Sequence, residues 1–229
     1  NRINPRTIGA AAQGLARYIQ KSGGTRLAEG GVAIAFDTRA NSERFARETA
    51  AILAGNGVVS HIFPGCRSTP ELSFAVRELG AAAGVVISAS HNPPTDNGFK
   101  AYWTDGGQVV PPHDRNVIAE VQAVDRIDRA DYEQAASKGT IRVLGAEIDR
   151  AYHERLAGIS LSDERDVCIV YTPLHGVGAT SVVPALQVLG FADLHLVEEQ
   201  AIQDGGFPTV AGGVANPEDP AALTLAVRK

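Results

Sequence analysis

The stretch Gly84-Val85-Val86-Ile87-Ser88-Ala89-Ser90-His91-Asn92-Pro93 joins a short apolar run to a polar loop. A run of about four to eight apolar residues that ends in turn formers is typical of a buried strand. We therefore expect a strand over 84–88 and a loop beyond it. In open parallel sheets, ligands bind beyond the carboxyl ends of the strands. The loop that carries Ser90 is thus the leading candidate for a functional site.

Strand and helix signals alternate on both sides of this stretch. The first helix is predicted to begin at Asn4-Pro5, an N-cap followed by a first-turn proline, and Gly30-Gly31 is predicted to break the chain before the first strand. A later helix is predicted to begin at Thr69-Pro70-Glu71, with Thr69 as its cap. Short apolar runs predict further strands over 32–36, 58–63, 99–103, 108–110 and 141–144. This alternation predicts an α/β fold with a mixed, mostly parallel sheet flanked by helices.

A break in this rhythm near 158–165 predicts a domain boundary. We expect residues 1–160 to form a first domain and residues 166–229 to begin a second, similar α/β domain. The second part carries predicted strands over 167–171 and 194–197, and Asn216-Pro217-Glu218 is predicted to cap its last helix. Two strands are too few to close a sheet, so we expect the chain to be part of a longer protein.

Composition excludes several classes of protein. The net charge is −5 and the pI is near 5.7, so the chain lacks the basic stripe typical of a nucleic-acid-binding protein. No apolar run is long enough to span a bilayer. The two cysteines, Cys66 and Cys168, lie far apart and form no metal or redox pattern, which indicates a reducing compartment. We therefore expect a cytoplasmic protein. The sequence carries no signal for an oligomeric state.

The loop after residue 88 brings together groups that suit phosphoryl transfer. Ser90 supplies a hydroxyl nucleophile, His91 a cation or proton donor, and Lys100 a positive charge at the same end of the sheet. Phosphoryl transfer depends mainly on positioning and charge neutralisation. From spacing alone, the same residues also fit a polar turn in which asparagine and proline have only a structural role.

A resemblance to a known family favours the first interpretation. Residues 84–93 resemble the phosphoserine loop of the α-D-phosphohexomutase superfamily, which comprises phosphoglucomutases and phosphomannomutases. Other segments are similar to the branch that contains phosphoglucomutase and phosphopentomutase: Asp96-Asn97-Gly98-Phe99-Lys100-Ala101-Tyr102-Trp103, Gly106-Gly107-Gln108, Pro112-His113-Asp114, Tyr171-Thr172-Pro173-Leu174-His175-Gly176-Val177-Gly178, Phe207-Pro208-Thr209-Val210 and Asn216-Pro217-Glu218. These segments follow the family's order over nearly the whole chain.

The resemblance implies catalytic roles for three residues. Ser90 would carry a phosphoryl group, give it to a sugar phosphate and form a sugar 1,6-bisphosphate intermediate. Lys100 would act as general acid or base, and His91 would contact phosphate or assist proton transfer. The family also binds Mg²⁺ through the phosphoserine and three aspartates of a glycine-containing loop. The chain lacks that loop, so Ser90, through its phosphate, would be the only metal ligand here.

The resemblance also implies substrate-binding residues. Arg39, in Asp37-Thr38-Arg39, is expected to clamp phosphate with its planar fork, and Asp37 is expected to hold Arg39 in place. The alternative for this segment is a strand-to-helix cap with an exposed arginine. Asn92 and His175 are further expected phosphate contacts, although His175 fits the packing of a domain turn equally well.

The predicted function is a sugar-phosphate mutase that moves a phosphoryl group between C1 and C6 of a hexose phosphate, with glucose the favoured sugar. Mannose and pentose phosphates are the alternatives within this class. A non-catalytic sugar-phosphate-binding module is the alternative outside it, and the retention of Ser90 and Lys100 argues against that. A nucleotide-binding domain is disfavoured because no Gly-x-Gly-x-x-Gly follows the first strand. We expect this chain by itself to lack turnover, because the magnesium site is incomplete.

Overall fold

The computed structural model describes residues 3–229, except for the side chains of residues 24–26. The strands are β1 Val32–Phe36, β2 Ser60–Ile62, β3 Ala83–Ile87, β4 Phe99–Trp103, β5 Ile141–Val143, β6 Ile169–Tyr171 and β7 Leu194–Leu196. The helices are α1 Pro5–Gly30, α2 Ser42–Gly55, α3 Thr69–Glu78, α4 His113–Gln122, α5 Tyr132–Ser137, α6 Ala146–Ala157, α7 Gly178–Val188, α8 Glu198–Ala201 and α9 Thr224–Arg228. A short 3₁₀ turn spans Ala211–Gly213.

The first five strands form one mixed sheet in the order β4-β3-β1-β2-β5. All neighbours in this sheet are parallel except β4, which runs antiparallel to β3. The mixed, mostly parallel sheet flanked by helices is therefore confirmed. Because β1 and β3 are adjacent and parallel, Phe36 pairs with Ile87 at their carboxyl ends. The loops that follow these two strands consequently leave the same edge of the sheet side by side.

Side chains alternate between two apolar clusters, one on each face of this sheet. On β1, Val32, Ile34 and Phe36 face a cluster that also includes side chains of α1, α2 and α4. Ala33 and Ala35 face the opposite cluster, formed mainly with α3 and α6. Burial on both faces explains why β1 is apolar at every position.

The first helix begins as the sequence predicts. The side chain of Asn4 accepts hydrogen bonds from the N–H groups of Arg6 and Thr7, and the Thr7 hydroxyl accepts one from the N–H of Asn4. This capping box satisfies donors that the first turn leaves without helical partners. The helix ends at Gly30, just before Gly31 and β1.

A second, smaller unit follows the irregular segment 158–168. Its strands β6 and β7 form a parallel pair, and α7 packs against α6 of the first unit. The unit has its own small apolar cluster, which contains Leu174, Phe207, Val210 and Ala222.

Three local predictions differ from the structure. Ser68, not Thr69, caps α3, because its hydroxyl accepts the N–H of Glu71 while Thr69 lines a cleft. The predicted strand over 108–110 is reduced to a single bridge between Tyr102 and Gln108, since the prolines that follow lack the N–H needed to extend pairing.

The third difference concerns Asn216-Pro217-Glu218, which begins a series of turns and not the last helix. A helix capped by Asn216 would need the N–H of residue 220 to bond to the Asn216 carbonyl. Residue 220 is proline and has no N–H, so the last helix starts only at Thr224. In residues 3–229, no helix is both long and apolar enough to cross a membrane.

Candidate active site

A cleft of about 500 Å³ opens at the carboxyl edge of the large sheet. The first unit contributes Arg39, Ser90, His91 and Lys100 to its walls. The second unit contributes residues 171–174 together with Gly176, Val177, Phe207, Ala215 and Pro217. The cleft therefore lies between the two units and contains the predicted nucleophile.

Ser90 lies on a tight turn in the loop over residues 88–98, which we name the Ser90 loop. Its backbone is left-handed, with φ 59°, and its N–H donates to the Ser88 hydroxyl at 3.0 Å. A left-handed serine costs of order 1–3 kcal/mol and persists only where its surroundings fix it. At the base of the loop, the Ser88 N–H bonds to the Gly98 carbonyl, and any side chain at 98 would lie 2.6 Å from the Ser88 oxygen. The turn leaves Ser90 exposed to the cleft.

The Arg39 side chain holds the Ser90 loop through hydrogen bonds to its backbone carbonyls. Its guanidinium donates to the carbonyls of Ser90 and Asn92 at 2.8 and 2.7 Å. It also donates to the carbonyls of Pro93 and Asp96 at 2.5 and 3.3 Å. The fifth N–H, on Nε, bonds to Asp37 at 3.1 Å. All five N–H groups thus have protein acceptors, and only 1% of the side chain is exposed.

This geometry departs from the predicted phosphate clamp. A phosphate could bind Arg39 only by displacing one of the bonds to the loop. The alternative of a strand-to-helix cap with an exposed arginine is wrong, since Arg39 is buried. Asp37 does hold Arg39, as the sequence predicts: its carboxylate accepts from both Nε and the backbone N–H of Arg39.

Two further residues, Asn97 and Cys66, hold this assembly in place, and the sequence gives no signal for the role of Cys66. Asn97 donates to the Ser42 hydroxyl at 2.9 Å and accepts the Gly98 N–H at 2.8 Å. The Cys66 thiol donates to the Asp37 carbonyl at 3.2 Å. Burial, followed by the nearby charge of Asp37, raises the pKa of the Cys66 thiol to about 11, so it stays protonated and remains a donor. The Asn97-Gly98 dipeptide is the sequence signal that points to a fixed turn here.

Lys100 and His91 both line the cleft. Lys100 lies on β4, paired with Val86 of β3, and its side chain lines the same cleft as Ser90. Within the part of the chain that the structure describes, neither Lys100 nor His91 forms an ion pair or a side-chain hydrogen bond. The lysine charge is therefore available to an anionic ligand.

Two predicted phosphate contacts do not point into the cleft. The Asn92 side chain is exposed on the outside of the loop, with Nδ2 at 3.5 Å from Asp96. His175 is buried in the second unit, where Nδ1 bonds to the Ile202 carbonyl and Nε2 to the Thr209 hydroxyl, both at 2.8 Å. Of the two alternatives for His175, the structure shows the packed turn.

The cleft suits a phosphate group better than a metal ion. Asp37 is the one carboxylate that lines it among residues 3–229, and its two oxygens already accept from Arg39 and Ser42. A separate group, Cys168, Asp193 and His195, has ligand atoms within 4.8 Å of one another, but it is exposed beside β6 and β7 and does not line the cleft. There, His195 and Asp193 already bond to each other at 2.7 Å.

The fold and site together define an α/β/α domain that presents a serine-bearing loop at the carboxyl edge of its sheet. Residues 1–128 match the family model described as phosphoglucomutase/phosphomannomutase, alpha/beta/alpha domain I, and residues 150–229 match domain II of the same family. The chain belongs to the phosphoglucomutase/phosphomannomutase family.

Three of the curated relatives that match the chain carry different substrate names. The chain is 36% identical to a phosphoglucomutase of Staphylococcus saprophyticus, over 98% of this chain and 40% of that protein. It is 36% identical to a probable phosphomannomutase of Haemophilus influenzae, over 99% of this chain and 45% of that protein. It is 34% identical to a phosphopentomutase of Homo sapiens, over 96% of this chain and 37% of that protein. The chain thus spans less than half the length of these relatives.

Solved structures show the same fold. A putative phosphomannomutase from Thermus thermophilus aligns with a TM-score of 0.82 at 26% identity, covering 99% of this chain and 48% of that one. A phosphoglucomutase/phosphomannomutase family protein from Burkholderia thailandensis aligns with a TM-score of 0.69 at 22% identity, covering 98% and 45%.

Proposed function

We propose that this chain carries the phosphoryl-transfer serine of a sugar-phosphate mutase. The observation that supports this most directly is the placement of Ser90: an exposed hydroxyl on a left-handed turn, in the same cleft as the Lys100 side chain. Nucleophilic catalysis needs such a hydroxyl to be both accessible and fixed in position. Family membership supports the same reaction class.

The proposed reaction begins with a phosphoryl group on Oγ of Ser90. A sugar-phosphate hydroxyl attacks this phosphorus, and the bond from phosphorus to Oγ breaks. Nζ of Lys100 gives a proton to the departing Oγ and takes up the proton of the attacking hydroxyl. The Ser90 oxygen leaves with a proton, and the sugar now carries two phosphates. The bisphosphate then turns in the cleft and returns its other phosphoryl group to Ser90. His91 contacts phosphate or assists these proton transfers.

Magnesium would neutralise charge on the transferring phosphoryl group. Of its ligands, only a phosphate oxygen on Ser90 would come from the described part of this chain. In the proposed roles, Arg39 fixes the loop from which that oxygen projects, and Asp37 fixes Arg39.

Glucose phosphate is the proposed substrate, and the reaction would pass through glucose 1,6-bisphosphate. Mannose and pentose phosphates remain the alternatives, since relatives with all three names match the chain at similar identity. Side-by-side kcat/KM values for the glucose, mannose and ribose phosphates test this choice; a higher value for mannose or ribose phosphate would overturn it. We also propose a cytoplasmic location, which the two free cysteines support.

The test of the covalent step is the intact mass of the full-length protein before and after incubation with glucose 1,6-bisphosphate. We expect a gain of one phosphoryl group on Ser90, which Ser90→Ala abolishes. Ser160→Ala removes an exposed serine distant in sequence from the loop and should leave the gain unchanged. Full mutase activity in Ser90→Ala would refute the proposal.

The non-catalytic alternative makes a different prediction in the same experiment. A sugar-phosphate-binding module would bind the bisphosphate reversibly and show no change in covalent mass. We also propose that residues 1–229 alone lack turnover, because the cleft offers too few ligands for magnesium. Turnover by this fragment equal to that of the full-length protein would contradict that statement.

A further inference from the structure

The Ser90 loop is supported by a turn from the second unit. We define the clamp turn as residues 202–209, which follow α8. At Gly205 this turn lies directly against Arg39. We propose that Phe207 is a positioning residue: its ring covers the guanidinium of Arg39 and keeps water from the bonds that hold the Ser90 loop. The catalytic consequence rests on the proposed mutase function, but the structural effect does not.

The contact begins with the geometry of Arg39. Because its five N–H groups bond outward in the guanidinium plane, only the two flat faces remain. Cζ of Arg39 lies over the face of the Phe207 ring, 5.3 Å from the ring centroid. Both residues are buried. Removing water lowers the local dielectric and strengthens the bonds to the loop carbonyls, and the ring also attracts the cation.

The clamp turn can reach Arg39 only because residue 205 is glycine. A Cβ atom at Gly205 would lie 2.5 Å from Cα of Arg39 and 2.6 Å from the Thr38 carbonyl oxygen. Real side-chain contacts are never that short, so any other residue would force the two segments apart. The backbone of the second unit is therefore fitted directly against the segment that carries Arg39.

His175 fastens both ends of the clamp turn. One ring nitrogen bonds to the Ile202 carbonyl and the other to the Thr209 hydroxyl. The His175 carbonyl also accepts the N–H of Asp204 at 3.2 Å. These bonds explain how Phe207 can hold a left-handed backbone, with φ 51°. The support thus runs from His175 through the clamp turn and Arg39 to the Ser90 loop.

Hydrogen exchange of the amides in the Ser90 loop tests this inference in the full-length protein without substrate. Phe207→Ala should speed exchange over 88–98 by about tenfold or more, since the loop bonds become open to water. Val210→Ala is the matched control. Val210 is buried in the same apolar cluster as Phe207 but is not among the described residues that line the cleft. It should change exchange in the loop less than about twofold.

Equal exchange in the Phe207→Ala and Val210→Ala proteins would overturn the inference. If Phe207→Ala does not fold, Phe207→Leu replaces it: leucine keeps apolar volume but lacks the ring, so exchange should still exceed that of Val210→Ala. Because no sugar phosphate is present, this readout is independent of whether Ser90 accepts a phosphoryl group. In the mutase assay, Phe207→Leu should lower kcat with little change in KM.

Discussion

Arg39 lines the cleft, but its hydrogen bonds are directed at the protein itself. Its guanidinium is fully engaged with the Ser90 loop and Asp37. A planar fork with five donors can satisfy several carbonyls at once, whereas a lysine ammonium offers three donors from one point. The role of Arg39 should therefore be sensitive to the shape of the donor group as well as to its charge.

Arg39→Lys should lower mutase kcat by on the order of 10²-fold through misplacement of Ser90. The Michaelis constant should stay within about threefold, because a positioning residue does not contribute to uniform substrate binding. Steady-state kinetics on the full-length protein check this. Arg47→Lys, at an exposed position on α2, is the control and should be near neutral. A large rise in KM with kcat preserved would show that Arg39 binds phosphate after all.

The sequence predicts that Ser90, His91 and Lys100 lie at one edge of the sheet, and in the structure all three line the cleft. Ser90 and His91 follow β3, and Lys100 lies near the start of the neighbouring antiparallel strand β4, so sheet topology brings the three residues to one edge. His175 follows a strand as well, yet its side chain turns inward because the clamp turn offers a hydrogen-bond partner to each ring nitrogen. Such a choice depends on contacts over 27 and 34 residues of chain separation, which local patterns do not encode.

At the scale of elements, α3 and α6 are linked by a cluster of ionisable side chains, in which only Glu71 is fully buried. Arg67 donates to Asp149 of α6 at 3.0 and 2.6 Å, and its Nε lies 3.6 Å from Glu71 of α3. The Glu71 side chain is fully buried, and neither carboxyl oxygen has a hydrogen-bond partner among the described residues. Burial, with a smaller effect from Asp149, raises the pKa of Glu71 to about 8.

The raised pKa of Glu71 predicts that stability falls as pH rises from about 4.5 to about 8. In that window the folded protein keeps the Glu71 proton while the unfolded chain has lost it, so raising the pH favours unfolding. Glu71→Gln cannot ionise and should remove this component. The wild-type free energy of unfolding should therefore fall relative to that of Glu71→Gln by at least about 1.4 kcal/mol, the value of one pKa unit.

Urea denaturation at about pH 5 and about pH 8.5 measures how the free energy of unfolding changes across most of this pH window. Glu78→Gln, an exposed position on the same helix, is the control and should follow the wild-type pH dependence. Parallel pH curves for wild type and Glu71→Gln would show that Glu71 is ionised throughout, contrary to this prediction.

The capping box of α1 gives a second prediction at this scale. Asn4→Ala should lower the free energy of unfolding by about 1 kcal/mol, because two N–H groups of the first turn lose their acceptor. For a protein of this size, the melting temperature should fall by about 2–4 °C. Arg6→Ala, in the same turn but with a side chain outside the capping bonds, should change it little. Equal melting temperatures for Asn4→Ala and wild type would exclude a stabilising cap.

Element types were predicted more successfully than element boundaries. The strands β1 and β3 are buried on both faces and are therefore apolar at nearly every position. Such a run can be recognised from the sequence alone. The failed helix start at Asn216 has a local cause, since Pro220 lacks the N–H that the first turn needs. Two adjacent hydroxyls could cap α3; in the structure Ser68 caps it and Thr69 lines the cleft.

At the scale of the whole molecule, the two units differ in their capacity to fold alone. The first has a five-stranded sheet with an apolar cluster on each face. In the described residues, the second has a two-stranded sheet and a four-residue buried cluster. Independent stability of a sheet requires about three or more strands or equivalent packing.

A fragment of residues 3–160 should therefore unfold in one cooperative transition, whereas residues 166–229 alone should not. Circular dichroism during thermal melting, with each fragment expressed separately, measures this. The larger fragment should also show faster exchange in the Ser90 loop than the full chain, since it lacks the clamp turn. Cooperative unfolding of residues 166–229 alone would contradict the prediction.

The two edge strands of the large sheet, β4 and β5, affect how readily the protein aggregates at high concentration. The backbone along the outer side of β4 is covered by the segment that follows it. The N–H of Trp103 bonds to the Gly107 carbonyl, the N–H of Val109 bonds to the Ala101 carbonyl, and Tyr102 forms a bridge with Gln108. The opposite border, β5, is only three residues long and carries exposed Arg142. Short, charged or covered borders resist strand addition from neighbouring molecules. The first unit should consequently withstand crowding without forming amyloid-like assemblies.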